Sequence, residues 1–382
     1  MDDYKEIFKR EYERLNYLYA KANTKSKKRQ LAYDLIFFEN MYNSFVTDDD
    51  RVVFPWSYDE ELKKVSYEGV EAFVTSILLE QHFLIELVEN SFNIFLDEEF
   101  STYCDYGKNF HKLKEELFQK YIFKFYSSFD KDIGLRIKDK FINLEIFINN
   151  NIKKYNGLFF PMESLNKNII LFTSRDIMTV DESRSLVHEL GHDFEFMNAR
   201  ESGETNIWSK IEKTIYSEVS SSFFEYAFIN YLIDNNFYLE DAMIMKRRYL
   251  NQIFCFLAYL LIIFSQSELT VDNDLNMELK NEEIVQYANN LFEYMNSSEP
   301  KFSVGEKISF QRVFIYCFGK LLGIYVYDAY KKNPREFLVN FKTMLLQYKD
   351  IGIDAFEYLG ITKDMLLDGK VLKRTLKESK KI

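Results

Sequence analysis

The stretch Ser185-Leu-Val-His-Glu-Leu-Gly-His-Asp-Phe194 contains an uninterrupted His-Glu-x-x-His. On a helix of 3.6 residues per turn, positions i and i+4 share a face, so the imidazoles of His188 and His192 can reach one metal ion with Glu189 beside it. The whole chain holds only four histidines, which makes an accidental pairing of two of them around a glutamate improbable. The competing reading is an exposed helical face on which two histidines happen to be neighbours.

The flanking residues favour a buried helix. Thr179-Val-Asp-Glu182 spells a capping box, in which the threonine hydroxyl accepts from the third backbone N–H and Glu182 reaches back to the cap. Leu186, Val187, Leu190, Phe194 and Met197 then recur at helical spacing, and Glu201-Ser-Gly203 offers a stop. Gly191 is costly inside a helix, and its place here predicts close approach of another backbone.

A metal site that does chemistry needs three protein ligands and an open position. Glu218, in Ile215-Tyr-Ser-Glu-Val-Ser-Ser-Ser-Phe-Phe-Glu-Tyr226, is the candidate for the third. Ser217, Ser220, Ser221 and Ser222 are small enough to let this segment come close to the first helix. Glu225, seven residues on, would share the face of Glu218 and could accept the outward N–H of a ligating histidine. Spacing alone leaves open that Glu218 is an ordinary solvated helix glutamate.

The run around Glu218 resembles the Glu-Val-x-Ser-x-x-x-Glu signature of the thimet oligopeptidase and oligoendopeptidase F family of zinc metallopeptidases. The resemblance implies His188, His192 and Glu218 as ligands of one Zn2+ per chain and Glu189 as the catalytic base. Gly157-Leu-Phe-Phe-Pro161 and Asn168-Ile-Ile-Leu-Phe-Thr173 resemble the loop and strand that precede the family's active-site helix, while Tyr316-Cys-Phe-Gly319 and Ala355-Phe-Glu-Tyr-Leu-Gly-Ile361 resemble its C-terminal helical region. The similarity spans roughly residues 155 to 365. Two departures stand out. Family members carry a further C-terminal histidine with a group of tyrosines that bind the developing oxyanion, whereas no histidine follows His192 here. They are also longer, so 382 residues correspond to a shortened member with less of the N-terminal helical part. Tyr316, Tyr325, Tyr327 and Tyr330 are the candidate replacements for the histidine, with Tyr316 ranked first as a catalytic residue.

Composition points the same way. Four prolines and twelve glycines leave little turn chemistry for an all-β fold, and 47% hydrophobic residues are ample for a large core. The 27 tyrosines and 37 phenylalanines read as helix packing rather than as a binding device. Three scattered cysteines, Cys104, Cys255 and Cys317, argue against a disulfide framework or a thiolate metal cluster. A net charge of -11 opposes attraction to phosphate backbones, so no nucleic-acid partner is expected; the basic clusters Lys25-Ser-Lys-Lys-Arg29 and Lys370 to Lys381 read as a solvated turn and tail. Ile253 to Phe264 is an apolar run too short to span a bilayer and reads as a buried core helix, so no membrane partner is expected. The acidic start Met1-Asp-Asp-Tyr-Lys5 lacks the apolar stretch of a secretory signal, and the expected location is cytoplasmic.

Residues 1 to about 45 read as two helices broken near Asn23-Thr-Lys25, and Val46-Thr-Asp-Asp-Asp50 as a turn. Segments near 58–98 and 107–153 have helical periodicity, and their histidines, His82 and His111, read as structural or surface residues because neither has a partner at metal spacing. The sequence predicts one strand pair, 157–161 with 168–173, just before the histidine motif, and helices from 206 to about 348. The expectation is a mainly α, zincin-type metallopeptidase with a small β-sheet next to the active-site helix. It would have an N-terminal helical region over 1–155 and a zincin-like catalytic region over 156–382. The expected activity is zinc-dependent endopeptidase cleavage of oligopeptides, with strand 168–173 pairing to the extended substrate. The alternative is a weak or inactive peptide-binding protein that keeps the fold; retention of Glu189 argues against it.

Overall fold

The capping box forms as it is spelled. Thr179 Oγ1 accepts from the Glu182 amide at 3.2 Å while the Glu182 carboxylate accepts from the Thr179 amide, and a helix runs from Val180 to Glu201, hereafter the histidine helix. It stops at Ser202, followed by Gly203 at φ +77°. This computed structural model describes residues 2–24, 27, 31, 35, 73, 76–77, 79–100, 110–143, 145–148, 157–162, 167–172, 178–203, 214–265, 276–295 and 301–380. The expected turn at Val46–Asp50, Cys104, Thr173 and most of the Lys25–Arg29 cluster lie outside the described residues.

The helix Val219–Asp234 is apolar on nearly every side and accordingly sits at the centre, buried from Val219 through Asn230. Packed on this central helix are the histidine helix, the helix Leu239–Phe264, and the helix Phe310–Lys332, hereafter the tyrosine helix. Leu239–Phe264 is longer than its apolar run predicted. Among the described residues it is the one helix long and apolar enough to cross a bilayer, at a mean hydropathy of 1.3 over its window, and 56% of that window is buried inside the protein. A single hydrophobic core links residues from Phe73 to Leu376. The fold is mainly α with small sheets.

The sheet beside the histidine helix has three strands in the order β2-β4-β3: β2 is Ile146–Ile148, β3 is Gly157–Met162 and β4 is Lys167–Phe172. The predicted pair is β3 with β4, antiparallel from Gly157 opposite Phe172 to Met162 opposite Lys167. The third strand was not expected. The segment read as helical over 107–153 forms two helices, Glu115–Phe129 and Lys131–Ile142, before turning into β2. Asp130 makes the break, its Oδ1 accepting from the amides of Asp132 and Ile133 at 2.8 and 3.1 Å. Because β2 pairs in parallel with β4 over Ile170–Phe172, that strand has neighbours on both sides there. The expectation that it offers an edge to substrate is therefore corrected over Ile170–Phe172: among the described strands the outer edges of this sheet belong to β2 and β3.

The sheet is fastened to the histidine helix by a buried polar cluster and an aromatic contact. Asn168 Nδ2 donates to Asp193 Oδ1 at 2.7 Å, and Lys140 Nζ lies 2.9 Å from the same oxygen. Phe159 of β3 packs on Phe196 and His192, with ring centroids 5.0 and 6.0 Å apart. At the other end of the chain, the basic run read as a solvated tail is a packed helix, Lys370–Lys380. Val371, Leu372 and Leu376 enter the core, and Lys377 and Lys380 face Glu98 at 3.6 and 3.4 Å. The lysines hid an apolar stripe at helical spacing.

Candidate active site

His188 and His192 leave the same face of the histidine helix and meet Glu218, which stands just before the first residue of the central helix. Glu218 Oε2 is 3.2 Å from Nε2 of His188 and 3.4 Å from Nε2 of His192, and the donor atoms of all three residues lie within 4.8 Å of one another. Ser221 Oγ donates to the same carboxylate oxygen at 2.7 Å. Behind His188, its Nδ1 faces Glu225 Oε2 at 3.1 Å. The seven-residue spacing does put Glu218 and Glu225 on one face.

Small residues make this approach possible. A Cβ on Gly191 would stand 2.5 Å from the Cα of Ser221, and Ser220 Oγ donates to the Gly191 carbonyl at 2.9 Å. The histidine and central helices thus touch backbone to backbone at the point where their ligands converge. Gly319 and Gly323 of the tyrosine helix play the same part on the far side, facing Glu218 and the Ser222–Phe223 backbone.

The charges are arranged around these contacts. Burial alone would raise the carboxyl of Glu218, but His192 and His188 outweigh it and hold the group well below its ordinary range. Burial dominates at Glu189 and raises its carboxyl despite His188 and His192, with Glu218 and Glu225 adding to the rise. Such a shift moves a carboxylate towards the range useful to a general base. At His188, burial is overcome by Glu218 and Glu225, and the imidazole is pushed up to about 10 without a metal.

Sequence reasoning missed two cations here. Arg184 and Lys320 both contact Glu225, Lys320 Nζ lying 3.1 Å from Oε1 and 2.9 Å from Oε2. Arg184 could have been found, since it lies four residues before His188 on the same face. Lys320 had no such signal because its helix is remote in sequence. Glu195, three residues after His192, was also missed; it accepts from the Tyr348 hydroxyl, and burial pushes its carboxyl up to about 7.

The four candidate tyrosines separate. The hydroxyl of Tyr316 is pushed up first by the charge of Glu218, then by burial and by the charge of Glu189. Its ring stacks on Phe256 with centroids 6.0 Å apart, and the Arg312 guanidinium lies 5.7 Å from its centroid. Tyr325 turns away, its hydroxyl donating to the Leu366 carbonyl at 3.3 Å. Tyr327 and Tyr330 line a cavity of about 240 Å³ with Phe125, Phe129 and Tyr231. His82 is exposed, and His111 is engaged elsewhere, its Nδ1 3.0 Å from Asp241 Oδ2.

Two imidazole nitrogens and one carboxylate oxygen converge here, with one ring already braced from behind, in a group that could hold a metal ion. No family model matches the chain, and no curated protein matches it in sequence. Solved structures do. A protein assigned as oligoendopeptidase F from Bacillus anthracis str. Ames superposes with a TM-score of 0.54 at 12% identity, covering 92% of this chain and 62% of its own. The fold is that of oligoendopeptidase F. PZ peptidase A, solved with an inhibitor, gives a TM-score of 0.52 at 13% identity over 92% of this chain and 65% of its own. A second structure assigned as oligoendopeptidase F gives 0.52 at 10% identity, with 92% and 64% covered. The chain therefore spans a little under two thirds of the length of the peptidase structures it matches.

Proposed function

We propose that the chain is a zinc-dependent endopeptidase acting on short peptides, with His188, His192 and Glu218 as the metal ligands. The observation that carries this reading is the convergence of the three donor atoms within 4.8 Å beside a glutamate whose carboxyl is raised by burial. When bound, the metal polarises the scissile carbonyl and makes water more acidic. Glu189 takes the proton of the attacking water and delivers it to the leaving amine. Tyr316, in the field of Glu218 and Glu189, donates to the negative oxygen that develops on the carbonyl. The free edge of β3, against the histidine helix through Phe159, holds the extended peptide by backbone pairing.

A second reading, a peptide-binding protein with little turnover, draws on the absence of any histidine after His192. The two are separated by incubating the purified protein with quenched fluorescent peptides, with and without a chelator, and identifying the products by mass spectrometry. Cleavage lost on chelation and restored by zinc supports the peptidase. Peptide binding without zinc-dependent cleavage supports the second reading.

A further inference from the structure

Glu225 is 1% exposed and sits where three helices meet. Its Oε1 takes Arg184 from the histidine helix and Lys320 Nζ at 3.1 Å from the tyrosine helix; its Oε2 takes Lys320 Nζ at 2.9 Å and His188 Nδ1 at 3.1 Å. Both oxygens are thus doubly engaged, one of the four contacts being a candidate metal ligand.

We propose that Arg184 and Lys320 are positioning residues that clamp Glu225 and thereby fix the orientation of His188. The proposal rests on the metal-peptidase reading of the site. A carboxylate that met only His188 would be free to turn about its last torsion, and the imidazole would turn with it. Two cations arriving from different helices remove that freedom, so Oε2 is held against Nδ1 and Nε2 is aimed at Glu218. Each cation is itself braced. Arg184 Nε donates to Asp181 Oδ1 at 2.8 Å, one turn back on its own helix. Lys320 Nζ lies 4.3 Å from the ring centroid of Tyr249, whose hydroxyl donates to the Lys320 carbonyl at 2.9 Å. Lys320 also directly follows Gly319, which packs against Glu218, so the residue that steadies one ligand and the backbone that meets another are carried by one helix.

Simple charge repulsion predicts the opposite effect on metal affinity. A buried cation near a dication disfavours it, so removing Lys320 as mere charge would tighten zinc binding. A clamp predicts weaker binding, by about 10–100-fold as is usual for residues that orient a ligand. Zinc affinity is measured by competition with a chromophoric chelator for the wild-type chain, Lys320→Met, Arg184→Met, Glu225→Gln and Lys320→Met combined with Glu225→Gln, with circular dichroism of each metal-free protein as the check on folding. The expected result is weaker zinc binding in both single cation variants, and no further loss when Lys320→Met is added to Glu225→Gln. Unchanged or tighter binding in a folded Lys320→Met protein overturns the proposal, as do additive losses in the double variant. If Lys320→Met does not fold, Arg184→Met decides by the same criterion, because its side chain is 21% exposed and less deeply placed. A wild-type chain that binds no zinc would instead remove the metal reading itself.

Discussion

A Cβ on Gly319 would stand 2.5 Å from the Cβ of Glu218 and 2.9 Å from its carbonyl carbon. The tyrosine helix therefore passes the proposed ligand with nothing but backbone between them. Gly319→Ala gains about 1 kcal/mol of helix propensity. Against this stands an overlap with main-chain atoms that cannot swing aside, in a core where overpacking costs about 1–3 kcal/mol. The expected outcome is a net loss of stability in urea unfolding together with weaker zinc binding, since the relief of the overlap moves Glu218. A stable variant with unchanged zinc affinity would show that the crossing is looser than described.

Within the histidine motif the residues divide by role. Glu189→Gln should retain stoichiometric zinc while peptide cleavage falls by about a hundredfold or more, because the base is lost and no ligand is. His188→Ala, His192→Ala and Glu218→Ala should each lose the metal or bind it severely more weakly. Zinc content by atomic absorption, read beside the cleavage rate, checks both halves. A fully active Glu189→Gln protein would rule out the hydrolytic scheme.

Tyr316→Phe removes one hydroxyl and keeps the ring stacked on Phe256. A donor aimed at a developing oxyanion is commonly worth about 3–4 kcal/mol, so kcat should fall by about two to three orders of magnitude with zinc content and melting temperature held. Tyr325→Phe, whose hydroxyl serves the Leu366 carbonyl, should leave kcat alone. Equal effects of the two substitutions would assign Tyr316 to packing.

Proton linkage gives a test independent of turnover. Without metal, His188 is pushed up to about 10 and His192 is raised as well, through Glu218 and Glu225 at the first and Glu218 at the second. A ligating imidazole must be neutral, so zinc uptake at neutral pH should release protons, and the apparent affinity should rise with pH. Calorimetric titrations in buffers of different ionisation enthalpy measure that release. The stability of the metal-free protein should move the other way. Its folded histidine binds the proton more tightly than the unfolded one, so the stabilisation is complete below pH 6.5 and fades as pH climbs towards 10. Thermal melts of the metal-free chain across that window should show the decline.

The histidine helix was legible in the sequence because its signals are local: a capping box, a pair at i and i+4, and a glycine marking a close approach. The pairing of β3 with β4 was legible for the same reason. The third strand was not, since Ile146-Phe-Ile148 is a short apolar run that periodicity cannot tell from the end of a helix. Nor was the position of β4 inside the sheet, which depends on that missing strand. Lys370–Lys380 was misread because charge composition outweighed the spacing of Val371, Leu372 and Leu376. The convergence of Lys320 on Glu225 spans 95 residues and has no local signature. Among the tyrosines, spacing on one helix could not say which lies level with Glu218; Gly319, which packs against Glu218, follows Tyr316 by three residues and precedes the other three candidates by six or more.

The histidine helix is moored along its whole length. At its start the Val180 amide donates to the His111 carbonyl at 3.0 Å, and His111 is itself held to Asp241. In its middle the Tyr126 hydroxyl donates to the Val187 carbonyl at 3.1 Å, and Ser220 reaches Gly191. Near its end Asn198 donates to the Lys342 carbonyl at 2.9 Å. A helix tied to four separate segments at its start, in its middle and near its end resists opening piecemeal. Its central amides, from Val187 to Gly191, should trade hydrogen for deuterium only when the entire molecule comes apart, making this short stretch a slow clock for global unfolding.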